Sequence, residues 1–117
     1  MLNQLQPFIP TKDFELSKAF YRDLGFKVIY EDDHLILYEK DAVRLFLQRF
    51  YERFFAENMV FQMYTDDIFN LHKHVQNLKQ TYSMIQVSEI KIAHYGATFT
   101  LHDPSGVLFH MTNPTHK

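Results

Sequence analysis

The sequence predicts an α+β protein in which paired βαβββ modules form a curved mixed sheet around a pocket. Three observations lead there. Pro7 to Phe26, PFIPTKDFELSKAFYRDLGF, reads as a strand, a capped helix and the launch of a second strand. Apolar alternation across short turns fills Phe26 to Gln48, as in an antiparallel meander. The sequence of strand, acid and amphipathic helix then returns from Met59, followed by three more alternating runs. Identity between the halves is slight, so the repeat is one of pattern. It divides one expected domain, residues 1–117, into modules of about 1–50 and 58–117.

Each element has a local reason. The first strand is expected at Leu5–Ile9, ended by Pro10, which has no N–H to give a ladder. Asp13 is a natural N-cap and Glu15 adds negative charge to the first turn of a helix over Asp13–Leu24. Phe14, Ser17, Phe20, Tyr21 and Leu24 share one buried stripe, and Gly25 closes the helix. Phe26–Glu31 turns at Asp32–His34 into Leu35–Tyr38, and Lys40-Asp41 turns the chain into Val43–Gln48. Phe50, Tyr51, Phe54 and Phe55 punctuate a stretch that reads as a short helix or an aromatic flap. In the second half, Met59–Thr65 is a strand, and Asp66 or Asp67 caps a helix to about Gln80 with Ile68, Leu71, Val75 and Leu78 on one face. Strands follow at Ile85–Ile92, Ala97–His102 and Val107–Thr112.

Composition narrows the function. The chain is 46% hydrophobic, with 12 phenylalanines and 7 tyrosines, which suffices for a packed core. A formal charge of −2 gives no electrostatic argument for nucleic acid, whose partners carry basic stripes. No apolar run approaches the ~18 residues of a membrane span. The N-terminus lacks the basic and apolar regions of a signal peptide. The absence of cysteine removes disulfides and thiolate ligands and fits a cytoplasmic protein. Three glycines cannot build a phosphate loop, and no nucleophile motif is present.

Asp103-Pro104-Ser105-Gly106 is a tight turn between the last two strands, with proline presetting one dihedral angle and glycine relieving another. With Pro7, Pro10, Asp13, Phe14, Phe20, Tyr21 and Leu24-Gly25-Phe26, it makes the chain resemble the vicinal oxygen chelate superfamily. That superfamily includes glyoxalase I, extradiol dioxygenases and bleomycin resistance proteins, and the resemblance is closest to the last. The motifs are turns and packing residues, so they speak for fold more than for activity.

The resemblance implies metal-ligand positions that can be tested one by one. The first falls on Gln6, and the final one, after the Asp-Pro-x-Gly turn, on His110. The matching position in the second half falls near Val60, which has no donor atom, and Val43–Gln48 offers neither acid nor histidine. Gln6 and His110 alone make a poor divalent site, where three or four ligands are usual. His72 and His74 are two apart on a helix and face different ways. His34 lies in a turn; His94 and His102 flank a strand and could reach the pocket, though solvated histidines are the simpler reading.

No cofactor is therefore expected, with a divalent metal at Gln6 and His110 as the alternative. A pocket between half-sheets would be lined by alternate strand residues: Phe8, Tyr38, Phe46, Gln62, Tyr64, Tyr95, Phe99 and His110. Tyr95 stands where the resemblance implies a drug-gripping tryptophan. Any one of these aromatics is more simply core; the cluster is what points to a ligand. Stacking and cation–π contacts are worth about 0.5–2 kcal/mol each. The expected function is non-catalytic binding of an aromatic or cationic compound by a homodimer, with Phe50, Tyr51, Phe54 and Phe55 as interface material. A metal-dependent lyase, isomerase or dioxygenase is the alternative, and a regulatory scaffold the third.

Overall fold

Helix α1 (Phe14–Leu24) follows from its two ends in the computed structural model, which describes residues 1–115. Asp13 Oδ1 accepts the Leu16 N–H at 3.1 Å, and the Gly25 N–H, at φ 120°, reaches back to the carbonyls of Tyr21 and Arg22. The predicted stripe is buried: Phe14, Ser17, Phe20, Tyr21 and Leu24. Around α1 stand β1 (Phe8–Pro10), β2 (Lys27–Glu31), β3 (Leu35–Lys40) and β4 (Val43–Gln48) in the order β1-β4-β3-β2. β1 runs parallel to β4, and the others are antiparallel.

The second half repeats this arrangement. β5 (Val60–Tyr64) runs parallel to β9 (Leu108–Pro114), which pairs antiparallel with β8 (Gly96–His102). Helix α3 (Ile68–Leu78) starts at Asp67, whose Oδ1 accepts the Asn70 N–H. The short helix α2 (Arg53–Asn58) links the halves. The α+β class and the twofold strand–helix–strand pattern are as predicted, carried by a four-stranded and a five-stranded mixed sheet.

Two expected strands differ. The first begins at Phe8, not Leu5: Pro7 accepts the Phe46 N–H through its carbonyl at 2.9 Å but has no N–H to extend the ladder. The run Ile85–Ile92 is broken into β6 (Gln86–Val87) and β7 (Lys91–Ala93), both against β8. Ser88 makes the break. Its N–H donates to the Thr100 carbonyl, but its hydroxyl, in place of a backbone carbonyl, accepts the Thr100 N–H at 2.8 Å. The freed Ser88 carbonyl meets His72 Nε2 of α3 at 2.8 Å.

One hydrophobic cluster joins the halves, from Ile9 and Phe20 to Phe109 and Met111, with α1 against α3. Polar ties reinforce the contact. Tyr82 Oη donates to Asp23 Oδ2 at 2.6 Å, and the Lys12 N–H donates to Ser105 Oγ at 2.9 Å. Because both helices occupy the shared core, each sheet turns its other face outward.

Candidate ligand-binding faces

Register and burial assign each strand residue to a face. On the first sheet, Ile9, Leu47 and Ile36 align in one buried row, with Leu45 and Tyr38 in the next. The opposite face carries Phe8, Phe46, Leu37 and Tyr30, which are register partners from strand to strand. Phe8 and Phe46 stack with centroids 4.5 Å apart and planes 15° from parallel. Phe8 remains 45% exposed and Tyr30 52%. Tyr30 reaches this row because a register shift between Val28 and Tyr30 turns it over; without that shift its side chain would face the helix.

The open face of the second sheet is polar. Gln62, His110 and Thr100 form one row, and Tyr64, Thr112 and Thr98 the next. Gln62 Nε2 donates to Thr112 Oγ1 at 2.9 Å and to the Met63 carbonyl at 2.8 Å. These bonds pin the amide flat beside His110. Tyr64 stands out from edge strand β5, 70% exposed.

The eight expected lining residues therefore divide. Phe8 and Phe46 come together on one open face. Gln62, Tyr64 and His110 come together on the other. Tyr95 sits half exposed in the two-residue turn between β7 and β8, where its ring packs edge-on against His94. Tyr38 and Phe99 are corrections: each is 1% exposed and faces a helix. Tyr38 Oη donates to the Lys18 carbonyl of α1 at 2.7 Å, and the Phe99 ring packs on His72 of α3. A one-residue difference in strand phase decides between core and open face, and alternating hydrophobics on both faces hide that phase in the sequence.

The open-face donors do not fit a divalent metal. Gln6 precedes β1, its amide donating to Gln4 Oε1 at 2.6 Å, while His110 belongs to the other sheet. Val60, beside Leu108 in the ladder, is a hydrocarbon at the position that should supply a ligand. Among the described residues no three histidine, aspartate or glutamate side chains are grouped to share an ion.

The buried acid is elsewhere. Asp103, 2% exposed at the start of the β8–β9 turn, accepts from Tyr21 Oη at 2.8 Å and from the N–H groups of Ser105 and Val107, each at 2.9 Å. Burial pushes its carboxyl up to about 6, against the pull of those donors. Its carboxylate is turned inward and holds the turn to α1. Tyr30, Leu37 and the Tyr21–Asp103 pair are what sequence reasoning missed; the stripe placed Tyr21 in the core without indicating its partner.

Residues 5–34 match the family described as bleomycin resistance protein-like N-terminal. No curated protein sequence matches the chain. Solved structures do. A bleomycin resistance determinant encoded on the transposon Tn5 superposes with a TM-score of 0.79 at 19% identity, covering 97% of this chain and 99% of its own. The bleomycin-binding protein of Streptomyces verticillus, complexed with copper(II)-bleomycin, gives 0.78 at 21% identity, covering 97% and 98%. The lactoylglutathione lyase of Agrobacterium tumefaciens gives 0.70 at 16%, covering 97% and 95%. The chain has the glyoxalase/bleomycin resistance fold and carries, in residues 5–34, the N-terminal pattern of the bleomycin resistance-like branch.

Proposed function

We propose that this chain is a non-catalytic binding protein that sequesters a small aromatic or cationic compound on its open sheet faces, as a cytoplasmic homodimer. The stacked Phe8–Phe46 pair carries the reading, continued across the sheet by Leu37 and Tyr30. A core aromatic is covered on every side. Phe8 is not, and the row offers ring faces and edges to a planar guest. Ring faces also attract cations, by about 0.5–2 kcal/mol each.

A platform open to water on one side binds weakly, so a second wall is needed to exclude solvent. A second copy supplies it in this reading. Exposed Phe50, before α2, and Phe54 and Phe55, within it, add apolar area for such a contact. The solved bleomycin-binding proteins of this fold make bleomycin the first compound to test. The alternative, a metal-dependent lyase, isomerase or dioxygenase, finds no matching ligand set in Gln6, Val60 and His110. Isothermal titration of the chain with metal-free bleomycin, alongside a simpler aromatic cation such as ethidium, tests the proposal. Saturable binding that Phe46→Ala weakens supports it. Absence of binding by both compounds overturns it.

A further inference from the structure

A cleft of about 700 Å³ lies beside the Asp103–Gly106 turn, away from the Phe8–Phe46 platform. Lys12, Tyr51, Arg53, Glu57, Gln86 and His102 contribute to its walls. Its volume falls within the range of small-molecule sites, about 300–1,000 Å³. Both of its carboxylates are committed: Glu57 Oε2 pairs with Arg53 Nε at 2.5 Å, and Asp103 is turned inward to Tyr21 and the turn amides. The other polar side chains are the reverse. Lys12 Nζ, the His102 ring, the Gln86 amide and the Tyr51 hydroxyl have no hydrogen-bond partner among the described residues, and each can donate.

Backbone structure places these donors. The Lys12 N–H is fixed to Ser105 Oγ across the cleft floor, which ties the β1–α1 loop to the turn. Gln86 and His102 are register partners on β6 and β8, so their side chains leave the sheet on the same side. A cation entering here would meet the Lys12 ammonium and no free carboxylate, since Arg53 and Glu57 neutralise one another. An oxyanion would find an ammonium and neutral donors, and charge-assisted hydrogen bonds are the stronger class.

We propose that this cleft binds the oxyanion of a small molecule, a carboxylate or phosphoryl group, held between Lys12 and His102. The site is independent of the aromatic platform and stands or falls without it. The test is imidazole ¹H–¹⁵N NMR of the full chain, with His102→Gln identifying the His102 signals. The probes are inorganic phosphate, 2-naphthoate and, as a charge-reversed control, 2-naphthylmethylammonium. Either oxyanion should shift the His102 signals saturably, the ammonium should not, and Lys12→Met should weaken binding by about tenfold, or 1.4 kcal/mol. Tighter phosphate binding assigns a phosphoryl ligand, and tighter naphthoate binding a carboxylic acid. No saturable shift from either oxyanion, an equal shift from the ammonium, or an unchanged affinity in Lys12→Met would overturn the proposal.

Discussion

Tyr21 Oη donates to Asp103 Oδ2 at 2.8 Å, a buried bond between residues 82 apart that fastens the first helix to the last turn. Asp103 titrates at about 6 in the fold, against about 3.9 for an ordinary aspartate. A raised acid is held protonated by the folded state through that window, so this group's contribution to stability grows as pH falls from above 6 toward 4.

Tyr21→Phe should therefore show a pH-dependent cost. Above pH 6 the ionised carboxylate loses a donor, a loss of about 1.5–3 kcal/mol for a bond to a charged group. Below it the protonated acid no longer needs that donor, and the penalty should shrink. Comparing urea unfolding of wild type and variant at pH 7.5 and pH 5 isolates the pair, because the other titrating groups cancel. An equal penalty at both values would show that Asp103 does not titrate there.

Gly96→Ala should destabilise the second sheet. At φ 136° a Cβ would stand 2.2 Å from the Asn113 carbonyl oxygen and 2.9 Å from Pro114 Cα, both backbone atoms of β9. Strain at such a position exceeds the ordinary ~0.5–1 kcal/mol glycine effect, so a loss of about 2 kcal/mol or more is expected. Thermal or urea unfolding reads it. A melting temperature unchanged from wild type would mean that the strands separate here at little cost.

Tyr38→Phe should affect stability and leave ligand binding alone. The hydroxyl serves the Lys18 carbonyl inside the core, a bond worth about 1 kcal/mol. Parallel unfolding and titration experiments separate the two readouts. Weakened binding with unchanged stability would return Tyr38 to the ligand site.

Light scattering of the purified chain at micromolar concentration should give about twice the 14.1 kDa of one copy. Replacing Phe54 and Phe55 by serine should shift the mass toward the monomer. A mass near one copy for the unaltered chain would remove the second wall from the proposed site.

Much of the fold was legible because its determinants are local. Asp13, Gly25 and Asp67 set helix ends by bonds within a few residues, and the Asp-Pro-Ser-Gly turn fixes its own geometry. Strand phase was harder to read. Tyr38 and Phe46 are both aromatics in alternating strands, yet one is buried against α1 and the other lies part-buried on the open face under Phe8. The register shift that delivers Tyr30 to the open face leaves no residue-type signal, and the Ser88 break depends on a hydroxyl accepting from a strand twelve residues on. Phe8 and Phe46 were named as alternate strand residues, but nothing in the sequence shows that they stand opposite each other across the parallel β1–β4 pairing.

The most direct test of the central claim is a calorimetric titration of bleomycin and ethidium into wild type and Phe46→Ala, each with and without EDTA. Saturable binding of at least one compound to wild type, indifferent to chelator, is expected. Phe46→Ala should lose about tenfold in affinity, the equivalent of roughly 1.4 kcal/mol for one stacked ring. Binding that EDTA abolishes and added metal restores would contradict it, as would an affinity that Phe46→Ala leaves unchanged.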